Sequence, residues 1–281
     1  MKKFELTENF RMCLGHKLFQ IRALVTINGV VEAGEMGGYI EKEDNLSQFG
    51  KSWVYGNAQV FGNAIVSGNS IVRENSMVYE DAFLTGNSRV EGNARVYGDT
   101  FVGGNSIVYG NSCVYCNALV YDNACVFGNS RVFGDSWIFG NANVFGNACV
   151  SGNAHVFGNS RIYGNAQLRD NVQSSGKALI HGNVQVSDDA FVSGDVDLSG
   201  YLHLSGNACV LSDSDVLQIK GLGTEHRTTT VYKTKDGIEI ECGCFRGGVE
   251  AFKERVINTR SGKVREEYLK FVELIDIYFR L

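Results

Sequence analysis

From Val54 to Asp215 the apolar positions of the chain recur every six residues, through twenty-seven consecutive hexads with no insertion or deletion. The unit reads Val-x-Gly-Asn-(Ala/Ser)-x, as in Val60-Phe61-Gly62-Asn63-Ala64-Ile65. So strict and short a period constrains the architecture before any single residue is considered. Position one is Val in nineteen hexads and position five is mostly Ala or Ser, with variable residues between them. That alternation is the period-two signature of a half-buried strand. Gly at position three (twenty hexads) and Asn at position four (nineteen hexads) supply a turn, because both tolerate positive φ and the Asn side chain can satisfy local backbone groups. Each hexad is therefore a four-residue strand and a corner. Three corners close a coil of eighteen residues, and nine coils stacked as parallel strands about 4.8 Å apart give a prism about 43 Å long. The chain has no proline, which suits a body whose strand N–H groups all enter ladders.

The segments outside the period differ from it and from each other. Residues 1–41 predict a β cap: Lys3–Leu6, then Lys17–Ile27, an Asn28-Gly29 turn and Val30–Ala33. Asn-Gly between apolar runs is a hairpin signal, and a cap would protect the open first coil from other strands. The repeat body is assigned to residues 42–216. Residues 217–281 predict a different module, with a hairpin of Thr228–Thr234 and Ile238–Cys242 around Lys235-Asp236-Gly237. Two amphipathic helices follow over Val249–Thr259 and Val264–Phe279. The expected fold class is mainly β: a parallel β-helix of about nine or ten coils, with a small N-terminal β cap and a C-terminal hairpin plus two-helix module.

The hexad pattern resembles that of the hexapeptide-repeat superfamily, whose members form left-handed parallel β-helices; left-handed coiling is what this resemblance implies. More narrowly, Ile21-Arg22-Ala23-Leu24, Gly37-Gly38-Tyr39-Ile40-Glu41, Asn45-Leu46-Ser47 and Cys242-Gly243-Cys244-Phe245 are similar to segments of phage and prophage hexapeptide-repeat proteins. Those proteins are mostly labelled hypothetical or, by fold analogy, acyltransferases. The resemblance implies a protein acting in the cytoplasm of a bacterial host cell.

Composition narrows the function classes. Net charge is −5, too mild for a dedicated nucleic-acid binder. No run of eighteen apolar residues exists and Met1-Lys2-Lys3 is not followed by a signal-peptide core, so neither membrane insertion nor Sec export is expected. Eight cysteines are scattered, mostly at variable repeat positions, and reduced thiols are expected. Cys242 and Cys244 supply only two ligands, with no second pair at zinc spacing; they are expected to be buried and metal-free.

Acyl transfer, as the superfamily implies it, uses a histidine in a cleft between subunits. His155 and His203 stand at position six and His181 at position two, all outward. The uninterrupted repeats offer no loop to shape a pocket around them. His16 and His226 lie outside the frame with no partner motif. All are expected to be ordinary surface residues, so no catalytic residue, cofactor or metal is assigned.

Outward positions sort into three faces, because every third hexad stacks. On the first, Ile65, Phe83, Phe101, Leu119 and Trp137 occupy position six, and Tyr121, Phe139 and Phe157 continue the stripe at position two. The second stacks Phe61, Tyr79, Tyr97, Tyr115 and Phe133; the third stacks Tyr109, Phe127, Phe145 and Tyr163. Aromatic ladders can stabilise a stack by themselves, which accounts for the second and third faces. An Ile-Phe-Leu-Trp stripe in water instead predicts an interface. Farther along, residues 180–215 carry Asp188, Asp189, Asp195, Asp197, Asp213 and Asp215 and no Lys or Arg. That acidic patch could meet a basic partner or the C-terminal module.

These features predict a non-catalytic, self-associating scaffold, a dimer or trimer, that binds a host protein and could block a defence factor by surface occlusion. The alternatives are an acyl-CoA-dependent acyltransferase acting at a subunit interface, and a virion or fibre component.

Overall fold

The structure is a computed structural model that describes residues 2–223 and 227–280; His226 lies outside the described residues. Each hexad forms one two-residue strand, from β4 (Trp53–Val54) to β30 (Cys209–Val210). Every third strand pairs in parallel, giving three flat faces. The second face comprises β5 through β29, the third β4 through β28, and the first β6 through β30. The parallel β-helix expected from the period is thus the observed fold.

Position one is the core. Val60, Val78, Val96, Val114 and Val132 are fully buried in one column, with Ala and Ser of position five beside them. Successive coils are tied by backbone bonds such as Ile65 N to Ala82 O (2.9 Å) and Asn69 N to Gly86 O (2.7 Å). Corner asparagines add a side-chain ladder: from Asn93 through Asn183 each Nδ2 donates to the Oδ1 one coil on, at 3.0–3.1 Å. The corners explain the glycine. At Gly128 φ is +75°, and a Cβ there would stand 2.9 Å from the Gly146 nitrogen. Where another residue fills position three, as at Glu74, Glu80, Cys116, Asp122, Asp170 and Asp188, φ still lies between 58° and 65°, a conformation that costs a side-chain-bearing residue about 1–2 kcal/mol.

The N-terminal cap extends the second face. Strands β1 (Phe4–Cys13) and β2 (His16–Ala23) pair antiparallel, and β3 (Met36–Ile40) joins β2 antiparallel and β5 in parallel. The main hairpin turns at Leu14-Gly15, both left-handed (φ 47° and 89°). Asn28-Gly29 closes only one antiparallel bridge, Ile27 to Val31. Phe4, Ile21, Ile27, Val31 and Trp53 are buried in the same core as the valine column, so the cap seals its first end.

The far end is sealed by a four-stranded antiparallel sheet: β31 (Val216–Leu222), β32 (Arg227–Thr234), β33 (Gly237–Cys242) and β34 (Phe245–Gly247). The expected β32–β33 hairpin is present; β31 and β34 are additional. Alternation along β32 splits the sheet's two faces. Tyr232 is buried against the last coil, while Val231 joins Ile240, Phe252, Val256, Phe271 and Ile275 in a second core beneath α1 (Val249–Thr259) and α2 (Gly262–Phe279).

Candidate functional site

The first face is uncharged from end to end. None of its eighteen outward positions, from Ile65 and Ser67 to Cys209 and Leu211, is Asp, Glu, Lys or Arg. The second face carries Arg95, Arg131 and Arg169, and the third carries Arg73, Arg89, Glu91, Arg161 and Asp197. The charges at outward strand positions are thus confined to the other two faces.

Parallel register aligns the stripe residues in one column: Ile65 beside Phe83, Phe83 beside Phe101, Phe101 beside Leu119 and Leu119 beside Trp137. Ile65, Phe83 and Trp137 remain 41%, 37% and 39% exposed, and the intervening residues are half-buried by their neighbours. At position two Tyr121, Phe139 and Phe157 stack with centroids 5.1 and 4.9 Å apart. The N-terminal half is lower. Position two there is Ser67, Thr85 and Gly103, and the Phe101 ring lies so close over Gly103 that a Cβ would meet it at 2.6 Å.

The aromatics of the other two faces stack coil on coil as Tyr121, Phe139 and Phe157 do, in longer ladders. Phe61, Tyr79, Tyr97, Tyr115 and Phe133 stack at 4.8–5.0 Å with planes within 8°. Burial in this ladder pushes the Tyr79 phenol up to about 12. The third-face ladder of Tyr109, Phe127, Phe145 and Tyr163 ends on the His181 ring, 4.5 Å from Tyr163. Rings stacked coil on coil present edges, so neither ladder offers a row of free ring faces to a ligand.

The four described histidines are engaged. His181 Nε2 bonds Asp197 at 2.8 Å. His16 Nδ1 bonds Glu41 at 2.9 Å and its ring tilts against Phe61. His155 stacks on Trp137 at 4.9 Å. His203 Nδ1 bonds Glu241 at 2.8 Å, while its Nε2 is buried with no hydrogen-bond partner. The carboxylates on His16 and His203 come from 25 and 38 residues away, so no local motif could have shown them.

The acidic patch divides. Asp215 is buried and paired with Lys233 at 2.7 Å, and Asp188 reaches Arg246 at 3.5 Å and accepts from the Gly206 N–H. Asp197 takes His181, and its own N–H donates to Asp213. Asp189 accepts from Asn171 and also lies on the corner beside the first face. Asp195 remains at an exposed corner.

At the joint between coil and module, burial would raise the Glu241 carboxyl, but hydrogen bonds from His203, Ser205 and Tyr232 hold it below the usual carboxylate range. Asp215 is likewise lowered against burial, by Lys233 and by the N–H groups of Leu211 and Ser212. Carboxyls depressed in the folded state stabilise it above their unfolded pKa, about 4, and lose that contribution as pH falls through the folded values. Limited proteolysis should therefore cut the joint faster at pH 3 than at pH 7, while the largely uncharged core of the coils resists at both.

Two features were not legible in the sequence. Segment 24–35, held by the Tyr55 hydroxyl donating to the Val30 carbonyl, overhangs the third face. It shapes a groove of about 1060 Å³ lined by Lys51, Tyr55, Ile71, Arg73, Arg89 and Glu91. The second is a correction. Cys242 is buried and accepts from Thr229 Oγ1 at 3.1 Å, but Cys244 is exposed. The strand ends at Cys242, and Gly243 at φ 61° turns the chain so that Cys242 pairs with Phe245. Both thiols are free, and no metal-binding cluster occurs among the described residues.

A family model described as the YdcK beta solenoid repeat matches residues 58–74. With the three-faced parallel stack, this supports a β-solenoid repeat protein. Comparison with curated proteins gives no match. No helix among the described residues is long and apolar enough to cross a membrane.

Proposed function

We propose that this chain is a non-catalytic β-solenoid scaffold that pairs with a second copy through its first face and binds another protein with its remaining surface. The uncharged eighteen positions of that face carry the reading. A solvated β-solenoid face gains solubility from charge, and this one alone forgoes it while exposing Ile, Phe and Trp.

The size of the face sets the strength of the contact. Six coils of stripe, about 29 Å long and about 13 Å across, give on the order of 400 Å² per copy. A standard interface needs about 800 Å² per partner. Even all nine coils, about 560 Å², stay below it, so a weak, concentration-dependent dimer is expected. Light scattering on a dilution series tests this: the mean mass should fall toward one chain on dilution, and a concentration-independent single-chain mass contradicts it.

The finer reading is of a phage or prophage protein working in the bacterial cytoplasm by occluding a host factor, on the strength of the resemblance of its N- and C-terminal segments. A stoichiometric host protein co-purifying with the tagged chain supports it; recovery in purified virions favours a structural role instead.

Acyl transfer fits the site poorly. His155 sits on the flat, uncharged face rather than in a cleft, and the uninterrupted repeats carry no loop to enclose His181. Calorimetry with acetyl-CoA should show no binding at micromolar concentrations. Binding that His155→Ala or His181→Ala abolishes would establish the enzyme reading.

A further inference from the structure

We propose that the two copies pair antiparallel, with the two-fold axis crossing the first face between Phe101 and Leu119, perpendicular to the solenoid axis. The inference rests on the self-association just described and adds its geometry.

Two arrangements lay this face flat on itself. A two-fold along the solenoid axis keeps coils at equal height and sets position six of one copy over position two of the other. A two-fold across the axis reverses the coil order and keeps each position over its own kind. The sequence distinguishes them through height. Position two is small in three coils (Ser67, Thr85, Gly103) and aromatic in the next three (Tyr121, Phe139, Phe157). Reversal about the stripe centre sets Ser67 against the partner's Phe157, Thr85 against the partner's Phe139 and Gly103 against the partner's Tyr121. The two open low sites, Ser67 and Thr85, each receive a ring, Gly103 being already covered by the Phe101 ring of its own chain, and the bulk is spread evenly along the contact. Position six then matches Ile65 with the partner's His155, Phe83 with the partner's Trp137 and Phe101 with the partner's Leu119.

The parallel arrangement gives a wedge. Leu119, Trp137 and His155 would meet the partner's Tyr121, Phe139 and Phe157, large on large. The contact at Ile65, Phe83 and Phe101 would then be held open.

Charge argues the other way. The corner leading into the first face carries Glu80, Asp81, Asp99, Asp135, Asp170 and Asp188, whereas the corner leaving it is mainly the neutral ladder Asn69–Asn87–Asn105–Asn123–Asn141–Asn159. Antiparallel pairing opposes the acidic rim to itself, with Asp81 across from the partner's Asp135. Exposed, screened like-charge pairs change affinity by about a few fold each. An aromatic anchor left unburied costs about ten- to a hundredfold. Shape therefore decides, and the acidic rims leave a signature: the dimer tightens as salt is raised.

The test is cysteine crosslinking read by mass spectrometry of disulfide-linked peptides, with the wild type as baseline for the native thiols. Ser67→Cys alone and Phe157→Cys alone should give no 67–67 or 157–157 link, and their mixture should give a 67–157 link between chains. Asp81→Lys should tighten the dimer by about threefold or more and weaken its salt dependence. A dimer with no 67–157 link, or one that Asp81→Lys leaves unchanged, overturns the antiparallel geometry and leaves the self-association reading standing. A protein that is a single chain at every concentration and salt overturns both.

Discussion

Alanine in place of Tyr232 is expected to detach the C-terminal module from the last coil. The side chain is fully buried and is the module's aromatic contribution to the valine core, while its neighbour Val231 points the other way into the module's own core. Its hydroxyl lies 3.3 Å from Ser205 Oγ and 3.1 Å from Glu241 Oε1, and burial raises its pKa so far that it stays a neutral donor at any working pH. Truncating a buried aromatic costs about 3–5 kcal/mol, and Glu241 would in addition lose one of the donors that offset its burial. Since the helices and the β31–β34 sheet keep a separate core, the module should remain folded while its attachment loosens. The expected result is rapid proteolysis between the two bodies with helical circular dichroism retained. Tyr232→Phe, which removes only the hydroxyl, should lose about 1 kcal/mol. If both variants resist protease like the wild type, Tyr232 is not the plug described. The opened coil end also exposes unpaired strands, so the alanine variant should aggregate more readily.

How far the sequence reveals this molecule depends on which contacts are local. The hexads are self-describing: a strand, a corner and a coil-to-coil ladder are each written within eighteen residues, and the twenty-seven strands fall where the period puts them, though each spans two residues rather than the four expected. The C-terminal hairpin was legible because Lys235-Asp236-Gly237 marks its turn. The N-terminal hairpin was less so. Asn28-Gly29 carries the stronger turn signal, but the longer strands meet around Leu14-Gly15, where the pairing of β1 with β2 and of β2 with β3 decides the register. The hexad frame runs on through Ser212-Asp213-Ser214-Asp215, which form a 3-10 turn, and so hides the start of β31 at Val216. The outward stripe could be read from periodicity alone. The partners of His16 and His203, the overhang above Tyr55 and the exposure of Cys244 could not, since each depends on segments brought together only by the end caps.

The second large effect is on association. Phe101→Glu with Trp137→Glu places two carboxylates at the centre of the first face, where burying each large apolar side chain contributes about 1.5–3 kcal/mol against an association cost of about 4–15 kcal/mol. Both side chains point away from the valine column, beside Val102 and Ile138, which alone enter the core. The fold should therefore survive while the contact acquires unpaired charges that it cannot desolvate. Light scattering with circular dichroism, on wild type and double variant at the same concentration of tens of micromolar, is the most direct measurement. The wild type should approach twice the 30.8 kDa chain mass, and the variant should stay at one chain mass with an unchanged spectrum. A wild type that is already a single chain at that concentration, or a double variant that keeps the wild-type mass, would contradict the assignment of the first face as the surface of self-association.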